Sequence, residues 1–366
     1  MRIVFKTSYD ADIGLFAHRY QAFWYVLLLA VAVGLPFVMN DFWIGEFALM
    51  LIWAIAGMGL MILVGHAGQP SLGHAAFMAV GAYTNVILQT SLGWPFLVSF
   101  PLSGCAAALA GALLALPTAR LHGIYLAIAT LAVSILAEDG IVMLAPWTGG
   151  VSGIFAPDIQ IFGVGFNRYV NAPGFYWLTL GVAVLVVLGY RNILRSPLGR
   201  SLVAVRDSEI SAQAIGVNLA WTKAVSFALS CGVTGLAGAL MGHFAGVFNH
   251  ETFTIFLSIT LLMMIVIGGL GSIHGAFLGA IVITFLPLVI SIVREFLNER
   301  LGTASVMPPG IETAAFGAIL IAFILLEPMG IYGRWVKIRT YFELFPFCRR
   351  DMFRRQRGYL RTERIR

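Results

Sequence analysis

Long apolar runs, separated by short polar segments, follow one another along almost the whole chain. Ten of these runs reach or approach the length of about 20 residues that crosses a bilayer as a helix. The pattern predicts an all-α, polytopic integral membrane protein with about ten transmembrane helices. The runs are Ala22–Met39, Trp43–Val64, Leu72–Leu88, Phe96–Leu116, Gly123–Leu144, Phe175–Tyr190, Trp221–Gly242, Ile255–Ile267, Gly275–Val293 and Ile311–Leu326.

One mixed polar and apolar stretch, Gly199–Asn218, interrupts this pattern and is expected to lie on a membrane surface. Several of its side chains are charged, and each would be costly inside the bilayer. These side chains are Arg200, Arg206, Asp207 and Glu209.

The same stretch carries the signals of a short helix. Asp207 or Ser208 can cap its start, and Gly216 can close it. The apolar positions between these caps fall on one stripe at helical spacing. They are Ile210, Ala214 and Val217. A small exposed helix with an apolar stripe is suited to docking a soluble partner, as a membrane protein driven by a separate motor requires.

The composition agrees with a lipid environment. Hydrophobic residues make up 59% of the chain, charged residues 11%, and the mean hydropathy is +0.89. Soluble domains have about a quarter of their residues charged. The net charge of +6 is concentrated in segments that flank apolar runs, which is the positive-inside pattern. We therefore expect contact with the bilayer and no nucleic-acid binding.

The charge distribution also predicts the organisation of the chain. Residues 1–21 form a cytosolic N-terminal segment, residues 22–333 the transmembrane domain, and residues 334–366 a basic cytosolic tail. Within the transmembrane domain, residues 191–223 form a cytosolic loop. Residues 146–173, which are rich in Gly, Pro and Asn, form an extracytoplasmic loop long enough for a small cap or hairpin. Both termini are then cytosolic.

Two Gly-interrupted segments, Gly65–Tyr83 and Gly268–Ala280, resemble each other. Broken helices in corresponding halves of a chain indicate a transport pathway and suggest an internal repeat. The alternative is that both are tight turns where helices pack closely. The candidate pathway residues are Gln69, Ser71, His74, Asn85, Gly268, Gly271 and Ser272.

No residue pattern indicates catalysis. The chain has no Gly-Lys pair for a phosphate-binding loop, no HExxH and no Cys/His cluster at metal spacing. We expect no catalytic residue, no metal and no cofactor in this chain. Glu138 and Asp139 interrupt one apolar run, where they face either a pathway or the outer interface.

Small residues also recur at helical spacing and suit close helix packing, either within this chain or against a sister subunit. They are Gly104, Ala108 and Gly111 in one run, and Gly235, Gly238 and Gly242 in another.

Five motifs in order resemble the LivM-type permease subunits of branched-chain amino acid ABC transporters. They are GHAGQPSLGHAAFMAVGAY, the run LHGIYLAIATL at Leu121–Leu131, the turn TGGVSGI at Thr148–Ile154, the loop Gly199–Asn218 and the segment GGLGSIHGAFLGA. Together they cover most of the chain from about Ile44 to Leu326. The resemblance implies a multi-pass protein of the bacterial inner membrane.

The resemblance also implies partners. These are a LivH-like sister permease, two cytosolic ATPase subunits that would bind ATP and Mg, and an extracytoplasmic substrate-binding protein. Closure of the ATPases would then act on the loop around residues 207–216. The candidate coupling residues are Arg206, Asp207, Ser208, Glu209, Ile210, Ala214 and Gly216.

Two other functions remain open from the sequence. Urea and short-amide ABC permeases share the architecture that the resemblance implies. A secondary transporter driven by an ion gradient would need a charge relay inside the membrane, for which only Glu138 and Asp139 are available.

Overall fold

The computed structural model describes residues 19–118, 121, 123–161, 163–301, 311–327 and 329–344. Each predicted apolar run overlaps a helix. The predicted terminal segments lie partly outside the described residues, at 1–18 and 345–366. The helices are α1 (Arg19–Gly34), α2 (Asp41–Met61), α3 (His74–Leu92), α4 (Phe96–Thr118), α5 (Ile124–Met143), α6 (Ala145–Thr148), α7 (Ala172–Arg195), α8 (Pro197–Asp207), α9 (Glu209–Ala214), α10 (Leu219–Ala245), α11 (Ile255–Gly268), α12 (Ile273–Leu301), α13 (Ile311–Leu326) and α14 (Gly330–Leu344).

Several of these helices are built to cross a membrane. By length and composition, seven helices in the described part of the chain qualify as spans, and two shorter apolar helices lie at Ala22–Phe37 and Ala314–Phe323. The predicted helical, polytopic class is confirmed, whereas the count of about ten spans stays a prediction. The seven are Asp41–His66, Phe96–Thr118, Ile124–Met143, Ala172–Arg195, Leu219–Ala245, His250–Gly268 and Ile273–Phe296.

Helix α10 lies at the centre of the packing and contacts α2, α3 and α4. Glycines allow the backbones to approach: a Cβ on Gly81 of α3 would overlap the Gly235 carbonyl, and a Cβ on Gly238 would overlap the Met78 carbonyl. On another face, a Cβ on Gly111 of α4 would lie 2.6 Å from Cys231 Sγ. The small residues of α4 and α10 therefore pack against each other within this chain.

Short strands shape the predicted extracytoplasmic loop. Strands β2 (Ile159–Ile161) and β3 (Val164–Phe166) form an antiparallel hairpin. Strand β1 (Ile154–Phe155) pairs with β4 (Val247–Phe248), which directly follows α10. Of the cap or hairpin that the length of this loop allows, the structure shows a hairpin, and β1 also joins the loop to β4 at the end of the central helix.

The predicted surface stretch contains two helices, α8 and α9. Asp207 ends α8, and Ser208 has an extended backbone with φ −164° and ψ 114°. The Ser208 hydroxyl accepts a hydrogen bond from the Ser211 N–H at 3.2 Å, so it caps α9. Because a residue with extended φ and ψ cannot continue a helix, the chain turns at Ser208. The short helix predicted between the caps corresponds to α9, whereas α8 was not predicted as a separate element.

Candidate functional site

Helix α9 is held against the transmembrane helices by an ion pair. Lys223 at the start of α10 is 4% exposed, and its Nζ lies 2.9 Å from Glu209 Oε1. A buried ammonium is stable only with a partner of opposite charge. Gly216 closes the turn with φ +89°, a conformation that favours glycine. Glu209, predicted as a coupling residue, therefore positions α9 through Lys223, while Gly216, also predicted, is exposed and shapes the turn that ends the helix.

The outer face of α9 is apolar and open. Ile210 is 84% exposed and Ile215 is 76% exposed. Ala214 is also exposed, whereas Val217 is only partly so. The exposed apolar face, which we call the α9 face, is thus Ile210, Ala214 and Ile215. The predicted stripe contained Val217 in place of Ile215, because helical spacing was extended past Ala214, where α9 ends.

Arg206 points towards the first broken segment. Its Nη1 donates to the Gly65 carbonyl at 3.1 Å, while its Nε and Nη2 donate to Asp207 Oδ1 at 3.0 Å each. Gly65 lies in a π-helical turn, Ile62–His66, that continues α2. The loop after this turn includes Gly68, with φ +67°, and leads into α3. The end of α8 and the first broken segment are therefore in direct contact.

His74 is the centre of a buried hydrogen-bonded network at the start of α3. Its Nδ1 lies 3.0 Å from Ser71 Oγ and its Nε2 lies 2.7 Å from Ser230 Oγ. The Ser230 hydroxyl donates to the Gly59 carbonyl at 2.6 Å, so its oxygen is free to accept the Nε2 proton. Nδ1 then accepts from the Ser71 hydroxyl. The contacts fit a neutral imidazole with its proton on Nε2.

The backbone N–H groups at this break already have partners. The Leu72 N–H donates to Thr130 Oγ1 at 2.9 Å, and the Ala75 N–H donates to Ser258 Oγ at 2.8 Å. Both hydroxyls come from other helices. In this conformation the start of α3 is therefore a packed junction and offers neither N–H to a solute.

We expect His74→Ala to destabilise the protein by roughly 2 kcal/mol, because the buried Ser71 hydroxyl loses the imidazole nitrogen that accepts its hydrogen bond. The measurement is the melting temperature of the purified protein in detergent. A double-mutant cycle with Ser230→Ala isolates the pair, since the two changes should not add. A melting temperature within 1 °C (roughly the effect of a surface substitution) would contradict this structural role.

The other predicted polar residues separate into two places. Gln69 is 4% exposed, and neither its Nε2 nor its Oε1 has a hydrogen-bond partner among the residues that the structure describes. Asn85 lies eleven positions beyond His74 on α3, about 16 Å along the helix axis. Its Oδ1 lies 2.8 Å from His243 Nε2 and accepts from Gln89 Nε2 at 2.6 Å. Asn85 is therefore not part of the cluster around the break, contrary to the prediction.

The second Gly-rich segment forms a tight turn between α11 and α12. A Cβ on Gly268 would overlap the Gly275 carbonyl, and Gly271 has φ +78°. Ser272 Oγ accepts the Gly275 N–H at 2.9 Å and so caps α12. The close-packing interpretation describes this turn well. The turn also meets the first break, since a Cβ on Gly65 would lie 2.9 Å from Gly271 N.

The carboxylates in α5 have separate surroundings. Glu138 Oε1 accepts the Ile255 N–H at 2.8 Å, so it satisfies an N-terminal amide of α11. Asp139 is exposed. Glu138 thus holds two helices together, and nothing in its contacts supports a charge relay for a gradient-driven transporter. The described residues contain no group of three or more His, Cys, Asp or Glu side chains that could hold a metal ion.

Together these features define a multi-pass helical membrane protein in which two broken segments meet beside a capped surface helix. A family model described as the branched-chain amino acid transport system permease component matches residues 45–325. The chain belongs to this family.

Individual relatives agree with this assignment. The high-affinity branched-chain amino acid transport system permease protein LivM of Escherichia coli is 31% identical over 332 residues, covering 85% of this chain and 75% of that protein. The probable LivM of Methanocaldococcus jannaschii is 24% identical over 331 residues, covering 78% and 92%. Escherichia coli LivH, the sister type, is 27% identical over 158 residues, covering 43% and 46%.

Proposed function

We propose that the chain is the LivM-type transmembrane subunit of an ATP-driven importer for branched-chain amino acids. The relatives named above support the substrate class. The observation that carries the mechanism is the α9 face, where Ile210 and Ile215 are exposed on a helix fixed by the Glu209–Lys223 pair. Exposed apolar residues on a rigid element beside charged ones are typical of a protein docking surface.

Three kinds of partner complete the proposed importer. A LivH-like sister permease lines the pathway with this chain in the inner membrane. Two cytosolic ATPase subunits dock on the α9 face and its counterpart, and they carry the ATP and Mg. An extracytoplasmic binding protein delivers the substrate. Both termini and residues 191–223 then lie in the cytosol.

The pathway is proposed to pass the two broken segments. Gln69 contributes the group best suited to a polar solute, because both atoms of its buried amide lack a partner in this conformation. Ser71 and His74 hold the start of α3 in place, and Gly268, Gly271 and Ser272 shape the facing turn. Asn85 lies further along α3, nearer the short strands. Its hydrogen-bond partner Gln89 lines a cavity together with Asp158.

The test is purification of the tagged chain from its native membrane, followed by mass spectrometry and transport in liposomes. We expect two ATPases and a second permease to co-purify. With the binding protein added, leucine uptake should require ATP. A chain recovered alone that transports without ATP would overturn the proposal, and uptake of urea or acetamide in place of leucine would assign the chain to the amide permeases.

A further inference from the structure

The contact between Arg206 and Gly65 connects the α9 face to the interior of the membrane domain. We propose that Arg206 is a positioning residue that transmits the movement of α9 to both broken segments. This inference rests on the proposed function, because it assumes that ATPase subunits move α9. It assigns Arg206 a contact with the transmembrane core instead of a contact with the ATPase.

The guanidinium of Arg206 holds two elements at once. One edge, Nε and Nη2, binds Asp207 Oδ1 at the end of α8, and the remaining Nη1 binds the Gly65 carbonyl. A planar guanidinium has its donors in a fixed arrangement, so its two partners keep one orientation relative to each other. An ammonium group is a point charge and does not impose this geometry.

The surroundings of the Arg206–Gly65 hydrogen bond are closely packed. A Cβ on Gly68 would lie 3.2 Å from Arg206 Cα, so the loop after the π-helical turn runs directly over the arginine backbone. The two breaks are also joined, because the Gly271 N–H donates to Met61 Sδ at 3.0 Å. In a close-packed region a shift of one element displaces its neighbours. A displacement of Arg206 would therefore reach the first segment and, through it, the second.

The first broken segment also has features that favour its rearrangement when it is displaced. The π-helical turn at Ile62–His66 is an irregularity often found where a helix serves a function. Three buried polar atoms beside it have no hydrogen-bond partner in the described part of the chain: both amide atoms of Gln69 and Nε2 of His66. Because a buried polar group without a hydrogen bond costs free energy, an arrangement that pairs these atoms is favoured once the link is shifted.

The test uses Arg206→Met in the complete transporter with its ATPase subunits and binding protein. Methionine keeps a long stem against Gly68 but cannot donate to Gly65. We expect the ATPase subunits to co-purify and to hydrolyse ATP, while uptake falls roughly tenfold or more, as loss of a charge-assisted hydrogen bond allows. The matched control is Arg200→Met on the same helix, whose Nη1 donates to the Arg195 carbonyl at 3.3 Å. It should transport normally.

Hydrogen exchange separates transmission from a simple packing role. In the wild-type complex, the amides of residues 62–73 should change protection between the nucleotide-free and ATP-bound states. In Arg206→Met the change should stop at α8 and α9. A packing defect alone would instead raise exchange of residues 62–73 equally in both states, and that result would overturn the proposal.

The remaining outcomes are also decisive. Uptake by Arg206→Met within twofold of wild type would overturn the proposal. If this variant loses its ATPase subunits, Arg206→Lys is the deciding variant. An Arg206→Lys complex that assembles and hydrolyses ATP but takes up little substrate supports the role of the fixed guanidinium geometry. Wild-type uptake by Arg206→Lys overturns the proposal. Loss of the ATPases from both variants would place Arg206 in the docking surface itself. Failure of docking as such would appear separately, in variants of the α9 face.

Discussion

Ile210→Asp abolishes ATP-driven uptake while the permease still folds in the membrane. Ile210 is 84% exposed in the isolated chain, so the aspartate stays in water there and stability changes by no more than about 0.5 kcal/mol. Docking of an ATPase would bury the charge without a partner, at a cost of several kcal/mol. Since about 1.4 kcal/mol is a factor of ten, we expect the affinity for the ATPase to fall at least a hundredfold.

The measurement pairs co-purification of the ATPase subunits with uptake in liposomes. Ala214→Asp on the same face should behave like Ile210→Asp. Asn192→Asp, which adds the same charge to an exposed position at the end of α7, is the matched control and should transport normally. Full transport by both α9 variants would show that the docking assignment is wrong.

Gly238→Ala prevents α3 and α10 from packing closely against each other. A Cβ at this position would overlap the Met78 carbonyl, and Met78 is 1% exposed within α3, so its backbone has nowhere to move. Forcing a methyl group into a packed core costs about 1–3 kcal/mol, occasionally more. Alanine favours a helix over glycine by up to about 1 kcal/mol, so the packing cost acts against a favourable propensity.

Gly181→Ala is the matched control, because a Cβ on that glycine of α7 meets nothing within 4 Å. We expect the control to melt at or above the wild-type temperature in detergent, and Gly238→Ala to melt several degrees lower with a reduced folded yield. Equal melting temperatures for the two variants would show that α3 and α10 are less closely packed than described.

The membrane helices could be predicted because each of them corresponds to an apolar run in the sequence. The run Phe96–Leu116 became α4, with bounds that differ by two residues. The surface helix was harder, since capping signals at Asp207 and Ser208 lie side by side. Only the backbone shows that one residue ends a helix and the next begins another.

The contents of the site could be predicted only in part. His74 stood out as a polar residue in an apolar segment and was predicted as a pathway residue, and the structure shows the hydrogen bonds that hold it. Its partner Ser230 did not stand out, because the two lie 156 positions apart and a serine in a membrane helix is common. Asn85 was grouped with His74 from closeness in sequence, although eleven residues of helix separate them. The meeting of Gly65 with Gly271 depends on tertiary packing alone.

The pairing of β1 with β4 has a consequence for how the chain is made. Phe155 is opposite Val247, and the ribosome synthesises their two strands about ninety residues apart. At about 5–20 residues per second, β1 waits on the order of ten seconds for its partner. Throughout that time the chain between the two strands, which includes α7, α8, α9 and α10, is still being synthesised. The end of the membrane domain that carries these strands is therefore completed late in biogenesis, and it is complete only when α10 and β4 have been made.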